Sequence, residues 1–255
     1  MTLAKCLDSI INQTFKDVEI IIVDNYSSDA TLDIARKYTN KIFLSGPERS
    51  LQVNYGVEKA CGKYIYRVDS DFVLDSDIIE HAVRLAELNN YAGIIIHNTS
   101  DETISYWSKV RKFERDMYLL DDLKVAIRFI RKDAFLSLGG FDINLVAGED
   151  YDLHNRLIKK YSIGRVIPKE THIGELKSIR EVAQKHYYYG KSIARFLEKN
   201  KYRGIKQISP FRVIYIKQYR RFFRHPSLAF GFVIYQAIKY ASSLCGILTY
   251  IFHRL

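Results

Sequence analysis

Residues 64–77 read YIYRVDSDFVLDSD, a run of β-branched and aromatic residues that ends in an Asp-x-Asp pair, Asp69 and Asp71. Two carboxylates two apart at a strand tip repel each other in a folded site unless a cation sits between them. The pair is therefore either a solvated turn or half of a site for a hard divalent cation. Other residues able to do chemistry recur along the chain. Asp24 and Asn25 end the apolar run VEIIIVDN (18–25), and Glu149 and Asp150 open the helical pattern that follows the turn sequence GGFD (139–142). His172 closes the short run RVIPKETH. Each has a plainer explanation. Acidic residues favour a first helical turn through the dipole alone, and a lone His is more often packing or surface than a ligand. Arg128 and Arg131, in VAIRFIRK (125–132), could meet phosphates. A surface arginine on an edge strand is the alternative, favoured for Arg131.

The elements that must hold these residues alternate along the first two thirds of the chain. Apolar runs at 18–25, 41–46, 63–71 and 91–100 suit buried strands. Between them, 27–39, 50–61 and 76–90 carry helical spacing, with Ser and Asp placed to cap. Strands alternating with helices predict an α/β fold, Rossmann-type, with a mostly parallel sheet and helices on both faces. Ligands in such sheets bind beyond the carboxyl ends of the strands, where Asp24, Asp69 and Asp71 fall. Residues 3–14 read as a helix with no strand before it, whereas a doubly wound sheet ordinarily opens on a strand. The expectation is a fold without its first strand. No Gly-x-Gly-x-x-Gly, Walker loop or Gly-x-Ser-x-Gly occurs, which argues against a dehydrogenase, a P-loop NTPase and a serine hydrolase.

Charge divides the 255 residues unevenly. The net charge is +10, yet residues 176–225 hold 14 Lys/Arg against 2 Asp/Glu, and residues 226–255 add +2, leaving −4 for residues 1–175. Basicity belongs to the tail, which implies two functional parts. Cys6, Cys61 and Cys245 are distant and odd in number, so neither a disulfide framework nor a zinc ribbon is expected, and reduced thiols on the cytosolic side are. The start MTLAKCLDSI is not a signal peptide. In the tail, residues 178–204 read as helical, and residues 227–252 are apolar with one charge, Lys239, near the middle. That charge opposes a span by roughly 2.5–3.5 kcal/mol. Val233, Ile234, Ala237, Ile238, Ala241, Leu244, Cys245, Leu248 and Ile251 fall on one helical face, and Gln236, Lys239, Ser243 and Tyr250 tend to the other. This amphipathic pattern predicts a helix lying on an anionic membrane surface, with packing onto the catalytic domain or a dimer partner, and a true membrane span, as the alternatives. No nucleic-acid motif accompanies the charge.

The motifs CLDSIINQTFKDVEIIIVDNYSSDAT, VDSDF, GGFD and GEDYDL, in that order and spacing over residues 3–175, resemble the family 2 glycosyltransferases of the GT-A fold. The resemblance implies a catalytic domain over residues 1–175 and a basic, aromatic helical region over 176–255. It implies a nucleotide-sugar donor and a saccharide or lipid-linked acceptor. Asp24, Asn25 and Asp69 would meet the nucleotide, and Asp71, with Asp69 and His172, would hold Mg²⁺ or Mn²⁺. Asp150 would be the catalytic base beside Glu149. The chemistry is coherent: a divalent cation stabilises the departing nucleoside diphosphate, and a carboxylate takes the acceptor hydroxyl's proton. The expected activity is an inverting, metal-dependent glycosyl transfer at the cytoplasmic membrane face. A polyprenyl-phosphate acceptor and a shortened, non-catalytic membrane-binding homologue are the rival expectations.

Overall fold

The structure, a computed structural model, describes residues 2–252. In chain order its elements are α1 (Thr2–Ile11), β1 (Ile22–Asp24), α2 (Thr31–Ala35), β2 (Ile42–Leu44), α3 (Arg49–Lys59), β3 (Tyr64–Tyr66), β4 (Phe72–Leu74), α4 (Ile78–Asn89) and β5 (Gly93–Ser100). There follow α5 (Tyr106–Arg115), β6 (Ile127–Arg131), α6 (Lys132–Ser137), α7 (Glu149–Leu157), β7 (Ile163–His172), α8 (Ile179–Ile208), α9 (Val213–Lys217), α10 (Tyr219–Arg224) and α11 (Pro226–Phe252). The chain divides into two compact units. One holds the residues up to His97 with Ala126–Thr171, and the other holds Asn98–Val125 with the chain from His172 onward.

The first unit is α/β, as the alternation predicts. Strands β1 and β2 pair in parallel, and a five-stranded sheet runs in the order β3-β6-β5-β7-β4. The sheet is mixed rather than mostly parallel, because β6 runs antiparallel to both β3 and β5. This interior position, between β3 and β5, also removes β6, and with it Arg131, from any edge. The core is built by α4 against the sheet. Ile78, Ile79, Ala82 and Ala86 recur at helical spacing and meet Leu74, Ile94, Ile96, Phe129 and Val166. Each fully buried Ile, Leu, Val or Phe side chain contributes about 1.5–3 kcal/mol. Helix α4 stops at Asn90, whose left-handed backbone (φ 51°) closes the last turn.

Two turns aim the later motifs. Gly140 (φ 67°) lies against α3, where Asn54 donates to the Phe141 carbonyl and accepts from the Phe141 N–H, both at 2.9 Å. A Cβ at Gly140 would come within 2.7 Å of Asn54 Oδ1, so the GGFD turn needs glycine there for space as well as for its positive φ. Gly148 (φ 82°) then reverses the backbone directly before α7. Arg156 on α7 donates to the Leu138 and Gly140 carbonyls, fixing the helix to the turn.

The second unit is helical. Val110, Phe113 and Met117 pack with Val182, Phe232 and Tyr235. Helices α8 and α11 touch backbone to backbone, since a Cβ on Gly190 would strike the Ser243 carbonyl and one on Gly246 the Tyr187 carbonyl. The orientation of α11 inverts the usual arrangement. Lys239 lies 3.6 Å from Glu114, which is itself buried and paired with Arg111. Tyr240 and Thr249 also make hydrogen bonds within this unit. Phe230, Val233, Leu244, Leu248, Ile251 and Phe252 are exposed. The polar face seen in the sequence turns inward and the apolar face outward.

Candidate active site

The site is built on a like-charge contact. Beyond the β3–β6 ladder the pairing continues for one step, with the Arg67 N–H donating to the Arg128 carbonyl at 2.9 Å. Two arginines thus lie opposite each other on neighbouring strands, both buried. Directly opposed like charges destabilise a sheet unless anions intervene. Asp69 intervenes on one side. Its Oδ1 accepts from Arg67 at 2.9 Å, its Oδ2 lies 3.4 Å from Arg128, and Arg49 approaches to 3.8 Å from the start of α3. Glu170 of β7, fully buried, pairs with Arg128 on the other side and accepts from the Tyr66 hydroxyl at 2.8 Å.

The environments push these carboxylates apart. Burial opposes ionisation of Asp69, but Arg67, Arg128 and Arg49 outweigh it and hold its pKa well below the usual carboxylate range. Glu170 is pushed upward by burial against the pull of Arg128. Glu149, at 1% exposure, pairs with Arg49. Burial and the adjacent Asp150 charge raise its pKa, with Arg49 opposing. Cys6 on α1 points its thiol at the Asp69 carbonyl (3.6 Å) and is pushed up to about 12 by burial, so it stays a neutral packing group.

Asp69 and Glu149, named from sequence for different reasons, are therefore brought together through Arg49. Asp150 stands beside Glu149 in the first turn of α7, half-buried, and accepts from the Tyr151 N–H. Asp71 lies half-buried on the turn between β3 and β4. Asp24 ends β1, buried, and accepts from the Ser27 N–H and hydroxyl, both at 2.7 Å. Asn25 follows it and packs its amide on Gly46 and Pro47 at the end of β2. His172 belongs to the second unit, where it lies 2.9 Å from Glu175. Glu175 also takes the Ser100 hydroxyl and Arg115.

Among the described residues, no three His, Cys, Asp or Glu side chains converge as a metal-holding group. Asp69 fits a metal ligand poorly, because both its oxygens already face guanidinium groups. Mg²⁺ in phosphate sites is held by one or two carboxylates together with the substrate's own oxygens, and Asp71, half-buried on the turn two residues after Asp69, is a carboxylate of the type such a site uses.

Sequence reasoning missed Arg49, Arg67 and Glu170. The signal for Arg67 was present. A charge inside the apolar run YIYRV (64–68) must be paired if the strand is buried. Nothing local marks Arg49 or Glu170, whose partners lie 100 and 42 positions away, Glu149 and Arg128 respectively.

The α/β unit that holds Asp24, the Asp69–Asp71 pair and Glu149–Asp150 at strand and helix ends has a GT-A-like glycosyltransferase fold. The model of glycosyl transferase family 2 matches residues 1–139, more than half of the chain, and the chain belongs to that family. It is 34% identical over 84 residues to glycosyltransferase GlyA of Streptococcus pneumoniae, covering 31% of this chain and 12% of the relative. It is 27% identical over 175 residues to an uncharacterized glycosyltransferase of Rickettsia typhi, covering 62% and 55%. It is 28% identical over 186 residues to the minor teichoic acid biosynthesis protein GgaB of Bacillus subtilis, covering 63% and 20%. The chain thus spans at most about half the length of these relatives. Among solved structures, Staphylococcus aureus TarS residues 1–349 in complex with UDP-GlcNAc shares the fold at a TM-score of 0.51 and 17% identity, over 85% of this chain and 69% of that one.

The arginine clamp carries a pH signature. Asp69 has a folded pKa below its ordinary value of 3.8, so its stabilisation is present above that value and is lost as pH falls through the lower folded one. Urea unfolding should show a stability that declines below about pH 4, with a shallower decline in Asp69→Asn. At pH 7 that variant should lose about 3 kcal/mol by leaving buried arginines short of a partner.

Proposed function

We propose that the chain transfers a sugar, with inversion, from a nucleotide-sugar donor to a glycan or lipid-linked acceptor. The observation that carries this reading is the convergence, within one unit, of Asp69 and Glu149 on Arg49, with Asp71 and Asp150 next to them in sequence. One pair belongs to a strand end, where a diphosphate would lie, and the other to a helix start, where an acceptor's proton would be taken. The complex of TarS with UDP-GlcNAc supports a uridine diphosphate sugar as the donor class. The name of GgaB supports a cell-envelope glycan as the destination.

In this reading Asp24 and Asn25 face the nucleoside at the end of β1. Asp69 is held ionised by its arginines and accepts from a donor hydroxyl, while Arg49 stabilises phosphate charge. Asp71 holds Mg²⁺ or Mn²⁺, which would neutralise the charge growing on the departing diphosphate. Asp150 takes the proton of the attacking hydroxyl. A lipid phosphate acceptor would need no such base, because its oxygen is already ionised.

The reading extends to location. An outward apolar stripe on α11, close in sequence to a basic stretch that exposes Phe211, Ile216 and Phe223, fits an interfacial helix on an anionic leaflet. Lys239 is not an obstacle to this, since it is turned onto Glu114. The reduced-thiol cytoplasmic face is the side this reading selects.

Two experiments test these statements. UDP release from UDP-sugars in the presence of simple glycosides should fall about 10²–10⁴-fold in Asp150→Asn, while Asp71→Asn should lose the metal-dependent part of UDP binding. Normal turnover on a hydroxyl acceptor in Asp150→Asn would remove the assignment of the base. In flotation with phosphatidylglycerol-containing liposomes, the full chain should rise. A Val233→Ser/Leu244→Ser/Leu248→Ser variant should stay at the bottom, and equal flotation of the two would remove the α11 surface from the account.

A further inference from the structure

Arg49 differs from the other two arginines on Asp69. The side chains of Arg67 and Arg128 are 8% and 6% exposed, whereas that of Arg49 is 42% exposed and stands farthest from the carboxylate, at 3.8 Å. It is the member of the cluster that an arriving anion meets. Its other partner is in the opposite situation. Glu149 is buried, and among the described residues no other cation is within ion-pair reach of it. Its second oxygen, Oε2, is buried with no hydrogen-bond partner. The groups that face Glu149 are Arg49 from α3, Asp150 beside it on α7, and Arg67 from the end of β3.

A diphosphate offers Arg49 a stronger and bidentate partner than one oxygen of a carboxylate. Glu149 would then be a buried carboxylate with its counter-ion withdrawn and a second carboxylate next to it in the chain. Buried charges in that position neutralise rather than persist, and two adjacent carboxylates readily share one proton. The deeper of the two keeps it. We infer that Arg49 is a positioning residue shared between the donor diphosphate and Glu149, so that donor binding is accompanied by uptake of one proton at Glu149, leaving Asp150 as the ionised base. The inference rests on the donor-site reading above. The proton comes from solution and goes to the Glu149 carboxylate, and no bond other than that O–H is formed. Its consequence for catalysis is order: the negative charge beside Asp150 is removed by arrival of the donor, before the acceptor is engaged.

The test is calorimetric titration of UDP, and separately GDP, into the full chain with Mn²⁺ present at pH 7, in PIPES and in Tris. The buffers differ in ionisation enthalpy, so the difference in heat counts protons taken up. Ionisation of the nucleotide's own terminal phosphate is common to wild type and Glu149→Gln, which both keep Arg49, and the readout is therefore a difference. Wild type should take up about one proton more than Glu149→Gln, which still binds nucleotide. Arg49→Met, a second variant in case the first does not fold, should also lose the extra proton and bind about tenfold more weakly, the loss of roughly one charge-assisted hydrogen bond. Nucleotide binding with the same proton count in wild type and Glu149→Gln, or in wild type and Arg49→Met, would overturn the inference while leaving the donor site intact. No binding of either nucleotide to wild type would remove the donor-site reading, and the inference with it.

Discussion

Two arginines on neighbouring strands, joined by the backbone hydrogen bond between Arg67 and Arg128, set the constraint from which the site follows. Neither guanidinium can leave the sheet, and both are shielded from water. The unit therefore has to supply anions around them, and it does so with Asp69 on one side and Glu170 on the other. An Asp-x-Asp turn in solvent would have two equivalent carboxylates. Here the first is locked between Arg67, Arg128 and Arg49. Asp69 is the carboxylate that organises the arginines, and Asp71 follows it on the same turn. Arg49 carries the same charge network on to Glu149, which ties the strand end to the helix start.

Much of this was legible in the sequence, for a physical reason. Asp24, Asp69, Asp71, Glu149 and Asp150 sit at the ends of elements, and the ends of apolar runs are visible in one dimension. The helix boundaries held where capping is local, as at Asn90 and at Gly148. What was not legible is long-range pairing. The antiparallel setting of β6 depends on which strand it meets, and periodicity carries no partner. Arg49 and Glu170 look like ordinary surface charges until the fold buries the groups opposite them. Arg128 showed the same ambiguity, and burial beside Glu170 resolves it in favour of an interior role.

The second unit repeats the lesson with a different outcome. The two faces of α11 were readable from spacing, and Lys239 was correctly set apart from the apolar stripe. Spacing alone could not tell which face would be buried. The answer lies on α5, where Glu114 is buried between Arg111 and Lys239. An ion pair with one partner on each helix holds α11 with its polar side inward, and the close approach at Gly190 and Gly246 leaves no space for rotation. The exposed stripe is thus a consequence of an interior charge.

The most direct test of the central claim is a crystal structure of the chain with UDP and Mn²⁺. The account predicts diphosphate oxygens on Arg49 and a metal on Asp71, with Asp69 still held by Arg67 and Arg128. A metal on Asp69 with the arginines displaced, or a nucleotide bound away from Arg49 and Asp71, would contradict it.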